Sequence, residues 1–126
     1  MTFGRGMACC LIAMVVSCGR WGDFYAIAGS RAPNGAVAVV SRDEGGGATV
    51  DYTFYVDLYA TLRDAQADRG GVEVWGCSGV CPESLTWVPE THRLLIHVRS
   101  RDLKDTDGPR MNHHDHFGWK AELRAH

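Results

Sequence analysis

The chain has 126 residues and a formal net charge of −2 at pH 7. This length suits one domain of modest size, and 45% of the residues are hydrophobic, a share found in globular proteins. The charges form neither a basic stripe of the kind that binds nucleic acid nor an acidic tail. The composition therefore excludes the basic nucleic-acid-binding classes and predicts a single globular domain.

The N-terminal segment has the parts of a secretion signal. Arg5 precedes an apolar run over residues 7–16, and small residues end that run. The run is too short to cross a bilayer as a helix, which takes about twenty apolar residues, and polar residues follow from Gly19 onward. A buried core helix is the alternative that the length leaves open. We predict a signal peptide over residues 1–17.

The end of this signal carries a short motif, Val15, Val16, Ser17 and Cys18. It resembles the lipobox of bacterial lipoproteins, in which an aliphatic residue and a small residue precede an invariant cysteine. The resemblance implies that Cys18 becomes the first residue of the mature protein and carries acyl chains. It also implies a bacterial cell-envelope protein that is lipid-anchored to the membrane through residues 18–31, with its domain facing the periplasm or the exterior.

The cysteines divide in a way that fits this interpretation. Cys9 and Cys10 leave with the signal and Cys18 is acylated, so Cys77 and Cys81 remain as a pair. An even pair in an exported protein is most simply a disulfide. Metal coordination and redox exchange are the alternatives, although the spacing lacks the two-residue gap of zinc and thioredoxin-type motifs. We predict a Cys77–Cys81 disulfide.

The first half of the domain shows strand patterns. Residues 23–28 fit either a short strand or part of the tether, residues 32–35 predict a tight turn through Asn34 and Gly35, and residues 36–41 predict a strand. Residues 49–59 alternate with a period of two. The apolar set, expected to face the core, is Val50, Tyr52, Phe54, Val56 and Leu58. The opposite set, expected on a solvated face, is Asp51, Thr53, Tyr55, Asp57 and Tyr59.

The second half continues the pattern. Residues 62–71 are polar with interspersed alanines and fit either a short surface helix or a long hairpin loop. Further strands are predicted over residues 72–75, 84–88 and 93–98. Several short strands separated by turns predict an all-β fold, a small antiparallel sheet or sandwich-like domain over residues 32–103, followed by an irregular tail over residues 104–126.

Two stretches of this region carry a second resemblance. Residues 31–40, Arg-Ala-Pro-Asn-Gly-Ala-Val-Ala-Val-Val, resemble the start of propeller-blade repeats in periplasmic Tol-type proteins, and residues 85–96 resemble the matching stretch of a following blade. Together with residues 46–49 they are similar to small uncharacterised bacterial lipoproteins. The chain is too short for a closed propeller, which needs at least about four blades. The resemblance implies a small β-sheet domain without an assigned activity.

The sequence contains no established catalytic motif: a nucleophile elbow, a phosphate-binding loop with a lysine and a paired-histidine zinc motif are all missing. Asp51 and Asp57 could act as an acid and base only in a cleft that the sequence does not indicate. We interpret the run Gly45, Gly46 and Gly47 as a hairpin turn. We therefore predict that the protein is not an enzyme and requires no cofactor.

One cluster near the C-terminus has side chains that could bind a metal ion. His113, His114 and His116 flank Asp115, and imidazoles with a carboxylate are good ligands for zinc, copper or nickel. The alternatives are a loosely attached tail, or a fold-back of residues 117–119 as a last strand.

Two functions therefore stay open. The first is a membrane-anchored envelope lipoprotein that serves as a binding or structural module for an envelope protein, and the second is a metal-binding lipoprotein that uses the histidine cluster.

Overall fold

The computed structural model describes residues 20–21, 24–43, 52–104 and 106–126. The predicted signal peptide, the lipid-attachment residue Cys18 and the Gly45–Gly47 turn lie outside these ranges. Within them, no helix combines the length and the apolar character that a bilayer crossing requires.

The described part of the chain forms two β-sheets and two short helices, which confirms the all-β prediction. The first sheet is antiparallel and has the strand order β1-β2-β3-β4-β5-β8. Its strands are β1 (Arg20–Trp21), β2 (Phe24–Arg31), β3 (Val37–Asp43), β4 (Thr53–Tyr59), β5 (Val72–Ser78) and β8 (Arg110–Met111). The second sheet has the order β6-β7-β9. Its strands are β6 (Ser84–Val88), β7 (Arg93–Val98) and β9 (Lys120–Ala125), and the helices are α1 (Leu62–Ala67) and α2 (Ser100–Leu103).

The main core lies where residues of the two sheets pack together. Period-two alternation places one side chain of each pair inward, as in β7, where Leu94, Ile96 and Val98 are buried. The largest buried members of this core are Leu58, Trp75, Trp87, Leu94, Ile96 and Trp119, and its valines are Val40, Val56, Val74, Val80 and Val98. The predicted inward set of β4 is therefore correct for Val56 and Leu58. Tyr52, which precedes the strand, is instead 42% exposed.

A second apolar cluster covers the opposite face of the first sheet. Helix α1 packs there through Leu62 and Ala65, and Tyr59 is only 1% exposed beneath it. The helix begins after Thr61, whose side chain accepts a hydrogen bond from the N–H of Asp64 at 3.1 Å. The helix alternative for residues 62–71 is thus the correct one. This face of β4 is shielded from solvent at Tyr59, where the sequence predicted a solvated surface.

The β-domain begins earlier than the predicted boundary at residue 32. Strand β2 occupies residues assigned to the tether and pairs with β3, with Arg31 opposite Val37 and Ser30 opposite Ala38. The intervening turn is closed by a 3.0 Å hydrogen bond from the N–H of Gly35 to the carbonyl of Ala32. Gly35 has a φ of 96°, a backbone conformation that glycine adopts readily.

The C-terminal residues also belong to the domain, which corrects the predicted irregular tail. Strand β9 pairs with β7 in parallel, from Lys120 opposite Arg93 to Ala125 opposite Val98. A tight turn with Phe117 at φ 57° and Gly118 at φ 90° leads into it. The strand forms because Trp119, Ala121 and Leu123 alternate toward the core.

The N-terminal hairpin turn and this C-terminal turn are joined by one side chain. The Oδ1 atom of Asn34 accepts a hydrogen bond from Trp119 Nε1 at 3.0 Å, and its Nδ2 atom donates to the carbonyl of Phe117 at 3.1 Å. Oδ1 also accepts the N–H of Ala36 at 3.1 Å. Asn34 therefore positions the chain that leads into β9.

Candidate binding groove

An open groove of about 640 Å³ lies between the C-terminal end of β5 and the segment that joins α2 to β8. Its volume falls within the range of about 300–1,000 Å³ that is usual for ligand sites. The lining residues are Gly76, Cys77, Ser78, Gly79, Asp102, Thr106, Asp107, Gly108, Pro109 and Arg110. No motif or pattern in the sequence predicted this groove.

The backbone of Ser78 is directed toward the groove. Gly79 donates its N–H to the carbonyl of Tyr52 at 2.8 Å, so the backbone groups of Gly79 point toward β4. Backbone groups alternate in direction along a strand. The N–H and C=O of Ser78 therefore point away from β4, to the side on which β8 lies.

The pairing on that side stops before it reaches Ser78. Gly76 pairs with Arg110, and a continued register would place Gly108 opposite Ser78. Gly108 instead adopts a φ of 87° and donates its N–H to Thr106 Oγ1 at 3.0 Å. Among the described residues, no backbone group across the groove pairs with Ser78. The groove thus contains a sheet edge at which Ser78 offers one backbone donor and one backbone acceptor, and the acceptor already receives a long 3.7 Å hydrogen bond from Cys77 Sγ.

The charged groups around the groove are predominantly acidic. Asp102 and Asp107 are exposed at its rim. Arg110 also lines it, but its Nη2 atom is paired with Glu73 Oε2 at 3.1 Å, which raises the pKa of the guanidinium. A Cβ atom on Gly76 would lie 2.7 Å from Arg110 Nη2, so the absence of a side chain allows this pair to lie across the strand. With Arg110 neutralised by Glu73, the rim favours a cationic ligand.

Cys77 and Cys81 are both free thiols in the structure, so the predicted disulfide is not formed in it. Cys77 is 2% exposed and packs in the main core, whereas Cys81 is exposed beyond the turn at Gly79. Burial raises the pKa of Cys77, and this effect outweighs the opposing influence of Thr106 and Arg110. The thiol beside the groove is therefore protonated at neutral pH and is a weak nucleophile.

Alkylation distinguishes the two thiols. In native buffer without reductant, we expect iodoacetamide to modify Cys81 on the order of tenfold faster than Cys77, because Cys81 is exposed and Cys77 is buried. Desolvation raises the pKa of both thiols, so accessibility separates their rates. Peptide mapping by mass spectrometry measures the two rates. In urea the two rates should converge. If neither thiol reacted until a reductant was added, the disulfide predicted from the sequence would form in the protein.

The histidine cluster is part of an ordered turn. His113 and His114 are exposed, whereas the Nε2 atom of His116 is buried and has no hydrogen-bond partner among the residues that the structure describes. Oxygens of Asn112 and Asp115 accept backbone N–H groups at 3.0 and 3.2 Å. The described ranges contain no group of three histidine, cysteine, aspartate or glutamate side chains placed to hold a metal ion. Metal binding by this cluster stays a prediction.

The carboxylate of Asp57 occupies a different environment from the one the sequence predicted. It is half-buried, and burial together with the nearby charges of Glu73 and Asp68 raises its pKa from 3.8 to about 6. Burial raises the pKa of the Tyr59 phenol, and the hydrogen bond that its hydroxyl donates to Asp68 Oδ1 at 2.6 Å raises it further. Glu73 connects this acidic cluster to the groove through Arg110. Asp51, the other residue of the considered acid–base pair, lies outside the described residues.

The two sheets and the short helices place this domain in the all-β class. Comparisons with protein-family models, with curated proteins and with solved structures found no match to this chain.

Proposed function

We propose that this chain is a lipid-anchored binding module of a bacterial cell envelope. In this proposal Cys18 carries the lipid, the β-domain is presented at the membrane surface, and the groove at the end of β5 receives an envelope ligand. The observation that supports the binding role best is the open backbone edge at Ser78 inside a groove of about 640 Å³. The anchor is supported by the apolar run and the lipobox resemblance of residues 15–18.

The chemistry of the groove favours binding over catalysis. The strongest potential nucleophile among the lining residues is the Cys77 thiol. Its pKa is raised, so the thiol is protonated at neutral pH. The other groups are backbone amides, two carboxylates at the rim and an arginine already paired with Glu73. Such groups recognise a ligand through hydrogen bonds and charge.

The anchor and the groove can be tested on one membrane preparation from cells that express the full chain. Intact mass spectrometry should show loss of the first seventeen residues and acylation at Cys18, because the signal is cleaved before the lipidated cysteine. The Cys18→Ser variant should keep its N-terminal segment. An uncleaved, soluble wild-type chain would contradict the proposed anchor.

Occupancy of the groove can be read from the accessibility of a cysteine introduced at its exposed edge. In the Ser78→Cys variant, we expect the introduced thiol to be alkylated more slowly in membranes than in the purified, detergent-solubilised chain. The rate falls because an envelope ligand covers the edge in membranes. The control is Glu90→Cys, since Glu90 is exposed in the turn between β6 and β7. Equal rates in both preparations for both variants would contradict a ligand in the groove.

A further inference from the structure

We propose that the ligand of the groove is an extended peptide segment of a partner protein, which carries lysine or arginine side chains and pairs its backbone with Ser78. This inference rests on the binding role proposed above and specifies the partner. Recognition of this kind adds a strand to a sheet edge, with backbone hydrogen bonds supplying affinity and side chains supplying specificity.

The geometry of the edge favours a peptide backbone. The N–H and C=O of Ser78 offer a donor and an acceptor from one residue, which matches the pair that a strand residue presents. A bound segment would continue the line of β8, which pairs with β5 only at Trp75 and Gly76. The native loop does not take this place, because the N–H of Gly108, the residue that a continued register would place opposite Ser78, is donated to Thr106 Oγ1.

The groove is also open enough for a backbone to approach. Gly79 beside the edge has no side chain, and Cys77 packs in the core. Ser78 itself is exposed. Its hydroxyl lies 3.0 Å from Thr53 Oγ1 on the neighbouring strand, so it is held away from the edge.

Charge selects among extended segments. Asp102 and Asp107 stand at the rim, and no ion pair within 4.0 Å joins either of them to a cation in the described part of the chain. A cationic side chain of a bound segment would therefore meet two carboxylates, and an acidic one would be repelled. Each exposed pair contributes little alone, so charge sets the preference while backbone pairing supplies the affinity.

Three labelled octapeptides test the inference by fluorescence anisotropy on the detergent-solubilised full chain. One alternates valine with lysine, the second replaces lysine by glutamate, and the third is the lysine peptide with N-methyl groups at alternate residues. We expect the lysine peptide to bind at least about tenfold more tightly than either of the others, because charge and backbone N–H groups are both required. Equal binding of the N-methylated peptide, or no binding of the lysine peptide, would overturn the inference.

Two pairs of variants locate the site. Ser78→Pro removes the N–H that faces the groove, and proline is tolerated at an edge when its N–H position faces solvent. It should weaken lysine-peptide binding about fivefold to tenfold, which is the effect of losing one hydrogen bond. The matched variant Ser78→Ala keeps the N–H, so it should weaken lysine-peptide binding less than Ser78→Pro does. Circular dichroism verifies that both variants are folded, and equal binding by folded Ser78→Pro would contradict pairing at this edge.

The acidic rim has its own control. Asp102→Asn combined with Asp107→Asn should reduce the preference for the lysine peptide over the glutamate peptide by about tenfold or less, as expected for two exposed charges. Glu90→Gln, in an exposed turn, should leave that preference unchanged. An unchanged preference in the double variant would overturn the role of the rim.

The outcomes separate this inference from the proposed function. Slower alkylation at position 78 in membranes, together with failure of every peptide to bind, would leave a binding module whose ligand is not a peptide. Peptide binding by a chain that is never acylated would support the inference and contradict the anchor. Sedimentation could show that the full chain is a dimer and that Ser78→Pro makes it a monomer. A second copy would then occupy the edge, and the inference would fail.

Discussion

Replacing Trp87 by alanine is expected to lower the free energy of unfolding by about 3–5 kcal/mol, the usual cost of removing a buried tryptophan. Trp87 is 1% exposed and packs edge-on against Trp119 with 4.8 Å between ring centroids. Its Nε1 atom donates to the buried hydroxyl of Ser30 at 2.9 Å, across the space between the two sheets. Domains of this size are stable by about 5–15 kcal/mol in total, so this change removes a large part of that stability. Urea unfolding followed by circular dichroism measures it.

The hydrogen bond and the packing can be separated by smaller changes. Trp87→Phe keeps an aromatic ring but leaves the Ser30 hydroxyl without its donor, at a cost of about 1–3 kcal/mol for the unpaired group and the lost volume. Adding Ser30→Ala should recover part of that loss, because both partners are then removed. The coupling between the two substitutions is expected to be about 0.5–1.5 kcal/mol.

A matched aromatic substitution on the surface provides the control. Tyr52 is 42% exposed, and its ring lies 3.9 Å from the guanidinium carbon of Arg42. Tyr52→Ala should cost less than about 1 kcal/mol, since it loses a cation–π contact and little burial. If Trp87→Ala cost no more than Tyr52→Ala, the contact between Trp87 and the first sheet would not stabilise the fold.

Strands with strong local alternation were predictable from the sequence, and strands formed by distant contacts were not. The bounds of β6 and β7 agree with the sequence prediction. Strand β9 was missed because its sequence, Lys-Ala-Glu-Leu-Arg-Ala, is rich in residues that favour helices. Its parallel pairing with β7, and the burial of Trp119 and Ala121, override that local preference.

The groove could not be predicted for a related reason. It exists because the register between β5 and β8 ends at Gly76, and a register between strands far apart in the sequence is set by tertiary packing. Ser78 and Arg110 carry no local motif that would mark them. The burial around Asp57 was missed because the sequence left α1 undecided between a helix and a loop, and that element covers this face of the sheet.

Replacing Asp57 by asparagine is expected to stabilise the protein at pH 8 by about 1–2 kcal/mol. The carboxylate is half-buried near Glu73 and Asp68, and its pKa is raised from 3.8 to about 6. A difference of this size corresponds to about 3 kcal/mol if fully realised. Partial exposure and the desolvation of the new amide reduce the gain. The ion pair of Glu73 with Arg110 also offsets part of the negative charge in this cluster.

The sign of the pH dependence follows from proton binding. Well below pH 3.8 the carboxyl is protonated in both the folded and the unfolded state, so Asp57→Asn should have little effect on stability there. Between pH 4 and pH 6 the unfolded chain releases the proton first, and wild-type stability falls relative to the variant as the pH rises. Above about pH 6 both states are ionised and the difference becomes constant.

Urea unfolding of both proteins at intervals from pH 4 to pH 8 measures this difference. The control is Glu90→Gln, in the exposed turn between β6 and β7, which should change stability by less than about 0.5 kcal/mol at every pH. A gain for Asp57→Asn that was the same at pH 4 and pH 8 would show that it arises from packing. A gain that grows through this interval and then levels off would show that the ionised, half-buried carboxylate of Asp57 lowers the stability of the folded protein.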